Sequence, residues 1–442
     1  MRGQGGVNST SKSVRLKYLP NIILTSALAI ISITPYLSRN FSLQINFGIF
    51  LLWGVSAIIT NDIHFSFVKM DKIIVWTVAW AIMQYVMRAT GVSNLIWKVY
   101  IDRLTLYFIP VIMVFILSYY NFAEMKLLAS IFVYVIILNT INNISLYITD
   151  PTIFINLNIL GDISRLTNAG STDFVTLLIF FIGVCVVAII NTTKIAMKIM
   201  FIAFSLCAGY FVVYGNPRAT AFVFLSLLLF AILALSYRNS NSFSVLLRGL
   251  CILLILILVF IEIVPIVRFV TTSITSSRMI ERFNDIVRIV EGNTSFLNTG
   301  NESIALRFQL AQTSISTFFG GLSNFIYGVG EKVHGESFFE LVNYGVGDHS
   351  ELIDVFAEYG IIGGFILYNL LYEIFKKILA LPKSKIIKRQ LLAIIAVFIL
   401  YSFFNDVLLE NVLYVVYIFM PIMIVVLDER NTKGHIRGVL HG

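Results

Sequence analysis

Charge is scarce in this chain. Asp, Glu, Lys and Arg make up 13% of its 442 residues, against about 25% in soluble globular proteins. So few charged groups cannot coat a water-exposed surface. With 58% hydrophobic residues and a mean hydropathy of +0.88, the sequence reads as a membrane protein. The apolar excess is spread over many segments, which excludes a soluble enzyme with one anchor and equally a disordered or collagen-like chain. Cysteine is nearly absent. Cys185, Cys207 and Cys251 sit inside apolar runs and make neither a disulfide framework nor a metal-ligand spacing, so they read as small buried hydrophobes. The runs lack strict alternation, which excludes barrel strands. No internal repeat and no nucleotide-binding motif is present.

What is there is a series of apolar runs near 19–37, 43–60, 73–90, 104–120, 127–149, 173–191, 197–214, 219–237, 247–266, 354–375, 389–405 and 409–427. A bilayer core needs about 20 apolar residues per helix, so the reading is an all-α polytopic membrane protein of about twelve transmembrane helices. The first run follows a basic tail and imitates a signal peptide with TSALA as its cleavage site. The apolar stretch continues past that site, so it is taken as a retained helix. The division follows: a basic tail 1–18, helices one to nine over 19–266, a long loop 267–350, helices ten to twelve over 351–427 and a tail 428–442.

With the N-terminus inside, twenty Lys and Arg fall on the cytoplasmic side, six in the opposite short loops and six in 267–350. That asymmetry sets both termini in the cytoplasm. It also accounts for the net charge of +8 as topology, so nucleic acid is dropped as a partner. The parity of the spans puts 267–350 outside. In it Met279, Phe283, Ile286 and Val290 recur at helical spacing, as do Ile304, Phe308, Ala311, Ile315 and Phe318. Thr299 and Glu302 have capping-box spacing ahead of the second stripe. Gly320-Gly321 and Gly328-Val329-Gly330 mark turns. The loop therefore reads as folded, its two amphipathic helices lying on the outer membrane surface or capping the bundle.

Charged groups near membrane helices are functional candidates because burying them is costly. Between helices seven and eight, Asn216-Pro217 can open a helix with Arg218 in its first turn. A guanidinium beside free backbone N–H groups suits a phosphate, while the plain alternative is an interfacial arginine. Arg307 lies on the flank of the second loop stripe, where a solvated helix arginine is the alternative. In GDHSELIDVFAEYGIIGG (347–364), Asp348 and Glu351 have capping-box spacing and put His349 at the start of helix ten. The positive helix end keeps that imidazole neutral. Glu351, Asp354 and Glu358 share one face, or else form a wet acidic first turn, and Gly360, Gly363 and Gly364 allow close backbone approach. Asp406 and Glu410, at i, i+4, are candidate ion-pair partners for Arg218 or Arg307. His334 and His349 lack metal-ligand spacing, so no metal or cofactor is expected. Asn139, Asn142 and Asn143 read as glue between helices.

Together these features resemble the O-antigen polymerase and O-antigen ligase superfamily. The resemblance rests on about twelve helices with a large external loop between the ninth and tenth, and on an Arg in a small-residue turn opening helix eight (NPRAT). It rests further on a loop Arg followed by an x-Gly-x-Gly turn (Arg307 with NFIYGVG), and on a His-Ser helix start with a Gly-x-x-Gly end. Pro217 and Phe325 depart from residues common in the family. The resemblance implies transfer of a glycan from an undecaprenyl diphosphate carrier to an acceptor hydroxyl at the outer face of the bacterial cytoplasmic membrane. It assigns the diphosphate to Arg218 and Arg307 and the acceptor hydroxyl to His349, with Asp348, Glu351, Asp354, Asp406 and Glu410 as supporting residues. Inversion at the anomeric carbon follows from attack opposite the leaving diphosphate. A chain-length regulator protein and membrane lipid are the implied partners. Polymerase is the preferred reading on an Ile-, Phe- and Asn-rich composition, with ligase transfer to lipid A-core as the alternative. A polysaccharide-lipid flippase is the alternative of another class, disfavoured by the absence of two similar halves.

Overall fold

A backbone in hydrocarbon has no water to bond, so it satisfies its own N–H and C=O groups by forming helix. The computed structural model describes residues 13–40, 43–61, 71–90, 97–150, 169, 172–215, 219–236, 303–330, 345–347, 350–403, 405 and 407–428, and among them there is no strand. The helices are α1 (Leu19–Ile33), α2 (Pro35–Asn40), α3 (Leu43–Asn61), α4 (Lys72–Ala89), α5 (Trp97–Tyr119), α6 (Phe122–Thr149), α7 (Thr172–Asn191), α8 (Ile195–Tyr210) and α9 (Ala219–Leu235). Then come α10 (Ser303–Phe318), α11 (Leu322–Tyr327), α12 (Glu351–Ala380) and α13 (Lys385–Ser402), and α14 (Glu410–Asp428). Two π-helical turns interrupt the pattern, Phe211–Gly215 after α8 and Tyr414–Phe419 within α14. The run 247–266, the segment around 278–291 and most of both tails lie outside the described residues.

Among the described residues, six helices are long and apolar enough to cross a membrane: Leu16–Ile33, Phe122–Thr149, Asp173–Asn191, Ile195–Val213, Glu351–Ala380 and Glu410–Asp428. Two of them are central. Asp173–Asn191 is 78% and Glu410–Asp428 83% buried, whereas Ile195–Val213 is 22% buried and turns Ile195, Ile199 and Leu206 outward. Phe419 of α14 stacks on Phe132 of α6 and lies 5.7 Å from Phe181 of α7. Cys185 is buried in α7, as its apolar setting predicts.

Polar side chains meet at matching helix ends. Arg15 forks onto Glu124, with Nε 3.0 Å from Oε1 and Nη2 2.9 Å from Oε2, and the Glu124 side chain is fully buried. Asn121 and Glu124 form a capping box, so one carboxylate both starts α6 and holds the segment before α1. At the other end of the same pair of helices, Asn139 Nδ2 donates to Thr34 Oγ1 at 3.1 Å. This is the inter-helix role that its position predicts. Asp71, the N-cap of α4, pairs with Lys377 in the last turn of α12. Gln390 at the start of α13 accepts from Asn191 and donates to Ser236, each at 2.7 Å. Asp428 accepts the Lys383 amide.

Helix α12 does not run as its sequence suggests. The run 354–375 predicts a single straight span, but Gly360 has φ 61 and ψ −164 inside α12. The arm before it folds back along the arm after it. Phe356 stacks on Tyr368 at 5.4 Å, and the Tyr368 hydroxyl donates to the Leu352 carbonyl at 2.9 Å. In a straight helix, residues 352 and 368 would stand about 24 Å apart. Glycine is required at the bend and behind it. A Cβ on Gly363 would fall 2.1 Å from Tyr359 Cβ, and one on Gly364 2.3 Å from the Phe356 ring.

Candidate functional site

The returning arm of α12 begins at Ser350, and the Asp354 carboxylate holds that start. The Asp354 side chain is buried; its Oδ2 accepts the Ser350 amide at 2.7 Å and its Oδ1 accepts the Ser314 hydroxyl at 2.5 Å. Ser314 Oγ in turn accepts the Gly347 amide at 2.8 Å. One carboxylate and one hydroxyl therefore fasten α10 to the chain on both sides of Asp348 and His349. The expected capping box of Asp348 with Glu351 is not what starts this helix. The N-cap is Ser350, without a side-chain cap bond of its own. Asp354, one turn inside, bonds the Ser350 amide instead and moves the start two residues along.

The buried face of α10 also differs from the predicted stripe. Leu310 and Ser314 are buried, while Ile315 of the stripe is 45% exposed. The polar Ser314 turns inward because Asp354 and the Gly347 amide satisfy it there, while Phe318 of the stripe is half-buried against Phe356 and the adjoining Phe319 and Leu322 are exposed. Gly347 packs so closely that a Cβ would lie 2.4 Å from the Leu310 carbonyl oxygen. Arg307 belongs to α10 and is described by its backbone alone. It stands seven residues before Ser314, two helical turns along α10.

The glycine turn after α11 is tied to the bend. Gly328 and Gly330 have φ of 73 and 76. Val329 N donates to the Ala357 carbonyl and Gly330 N to the Glu358 carbonyl, both at 2.9 Å. The break at Gly360 is what frees these two carbonyls from their helical partners. The fit is backbone on backbone. A Cβ on Gly328 would lie 2.2 Å from the Glu358 oxygen, and one on Gly360 2.3 Å from the Ile326 oxygen. The close approach that the sequence assigns to neighbouring spans is made by this turn, by the helix's own returning arm and, at Gly363, by Met83 of α4.

Further contacts bring other candidates to the same end. The Ser350 hydroxyl donates to the Phe403 carbonyl just past α13. Two residues earlier, Tyr401 meets Phe224 of α9 edge-on at 4.7 Å and lies 3.1 Å from the Thr176 hydroxyl of α7. The second turns of α9 and α7 thus stand beside the end of α13 that receives Ser350. Glu410 opens α14 half-buried. Tyr414 and Tyr417, on the π-helical turn that follows, are buried.

Of the sequence-predicted residues, Glu351, Asp354 and Glu410 are placed, Arg307 is placed by backbone, and Arg218, Asp348, His349 and Asp406 lie outside the described residues. Arg218 falls between the π-helical turn Phe211–Gly215 and α9 in sequence. Sequence reading missed Ser314, Ser350 and Tyr401. The available signal for Ser314 is its spacing of seven from Arg307, and Ser350 adjoins His349. Chemically, the buried Asp354 is occupied in positioning. No family model matches the chain, and no curated protein matches its sequence.

Proposed function

We propose that the chain is a polysaccharide polymerase of the O-antigen type. It joins undecaprenyl-diphosphate-linked repeat units by metal-independent, inverting glycosyl transfer at the outer face of the bacterial cytoplasmic membrane. In this reading Arg218 and Arg307 bind the donor diphosphate, each guanidinium offering a planar fork that matches phosphate oxygens. His349 takes the proton of the acceptor hydroxyl as that oxygen attacks the anomeric carbon. The bond from that carbon to the diphosphate oxygen breaks, and the lipid diphosphate leaves with the electron pair. Both termini are cytoplasmic.

The observation that carries the proposal is the hydrogen-bonded set Ser314, Asp354, Ser350 and Gly347. It ties the helix of Arg307 to the two residues that flank Asp348-His349. Neither the arginine nor the histidine needs such a link in the plain readings, where one is solvated and the other merely starts a helix. The contacts of Tyr401 with α9, which follows Arg218, lend further support.

Reconstitution with lipid-linked repeat units, with and without lipid A-core acceptor, tests the proposal. A ladder of products on the carrier is the expected result. Transfer only to core would make the chain a ligase, and flipping without transfer would make it a transporter.

A further inference from the structure

A groove of about 600 Å³ runs between the second arm of α12 and α13. Tyr372, Phe375 and Leu379 line one wall, and Ile395 and Ile399 the other. Leu352, from the returning arm, closes it beside Tyr368, while Lys376 and Lys388 stand at the opposite end. From Tyr368 to Ala380 the helix rises about 18 Å. That is close to one leaflet of a hydrocarbon core of about 30 Å.

Among the described residues, the lysine end carries more ammonium groups than carboxylates. Glu373 lies 3.5 Å from Lys376 and 3.7 Å from Lys72, so one carboxylate faces two ammonium groups. Asp71 is matched by Lys377, and Asp428 accepts the Lys383 amide. Lys388 is exposed and adds a further positive charge, as do exposed Lys383 and Lys385 nearby. An apolar, aromatic trough ending in ammonium groups is matched by a molecule with a long hydrocarbon tail and an anionic head.

We propose that this groove binds one anionic phospholipid, its acyl chain along Tyr372, Phe375 and Ile399 and its phosphate at Lys376 and Lys388. A zwitterionic lipid would gain little from two lysines, and a soluble phosphate would gain nothing from the apolar walls. Basic residues between membrane helices recognise anionic headgroups on this same principle. The proposal rests on the membrane reading of the chain and is independent of glycosyl transfer.

The test uses the full chain purified in detergent, with lipid retention measured by native mass spectrometry and thermal stabilisation followed in parallel. Phosphatidylglycerol should bind the wild type about tenfold or more tighter than phosphatidylcholine, since each basic residue contributes on the order of a fivefold preference. The Lys376→Gln/Lys388→Gln variant should lose that preference while keeping its helical circular dichroism. Ala380→Phe, which narrows the trough and leaves both charges, should weaken phosphatidylglycerol as well. Equal binding of the two lipids by the wild type would overturn the proposal. So would full stabilisation by glycerol phosphate alone. Displacement of phosphatidylglycerol by undecaprenyl phosphate with equal potency in the wild type and the double-lysine variant would give the groove to a carrier lipid and overturn it too.

Discussion

Ser314 and Asp354, forty residues apart, are joined by one buried hydrogen bond that links the loop helix α10 to the returning arm of α12. The two should therefore be energetically coupled. Ser314→Ala should cost about 2 kcal/mol, because the bond is to a charged acceptor. Asp354→Ala should cost about 3 kcal/mol, since it orphans the Ser350 amide and the Ser314 hydroxyl together. The double variant should fall short of the sum by about 1–2 kcal/mol. Thermal unfolding in detergent of all four proteins measures this. Strict additivity would mean that the two side chains do not depend on each other.

The bend at Gly360 and the turn at Gly328 interlock through their backbones. Alanine at either position meets both a positive φ and a carbonyl oxygen closer than any contact a Cβ tolerates. Each substitution should destabilise by more than about 2 kcal/mol. Gly54 is the contrast. It lies inside α3 with nothing within 4 Å of a built Cβ, so Gly54→Ala should stabilise by about 0.5–1 kcal/mol. Melting temperatures of the three variants decide the matter, and a harmless Gly360→Ala would remove the bend as a constraint.

Glu124 is fully buried and accepts from Arg15 and from the Asn121 amide. Glu124→Gln would leave the Arg15 guanidinium without its counter-charge. Because Arg15 is 34% exposed and keeps access to water, losing the pair should cost about 1–3 kcal/mol. The variant should accumulate poorly in membranes and melt early. Arg15→Lys should rescue little, because a point charge cannot reproduce the fork.

For donor binding, Arg218→Lys and Arg307→Lys should each weaken affinity for the lipid diphosphate at least tenfold, for the same geometric reason. Activity should persist in EDTA. Wild-type affinity in both lysine variants would return these arginines to interfacial and solvated roles. Loss of activity in EDTA, restored by a divalent cation, would refute the metal-independent step.

The helices were legible because long apolar runs leave the backbone one way to satisfy itself, and the scarcity of charge announces the environment. The reversal at Gly360 was not legible. Its sequence, EYGIIGG, reads equally well as a smooth helix with small residues for packing, and the break shows in the Gly360 backbone and in the Ala357 and Glu358 carbonyls taken by the 328–330 turn. The polar residue on the buried face of α10 was not legible for a related reason. Periodicity counts apolar positions, but Ser314 is inside because Asp354 meets it there, a pairing between residues that no local pattern connects. The Arg15–Glu124 pair was half visible, since Asn121-x-x-Glu124 has capping-box spacing, yet Arg15 carried no mark beyond its charge.

Turnover and donor binding of His349→Ala, measured together in reconstituted membranes, test the central claim most directly. If His349 takes the proton of the acceptor hydroxyl, turnover should fall by about 10²–10⁴. Affinity for the lipid-linked donor should stay near wild type, because the arginines hold the diphosphate. His334→Ala, in the same loop, serves as the control and should be mild. A well-inserted His349→Ala protein that turns over at the wild-type rate would contradict the account.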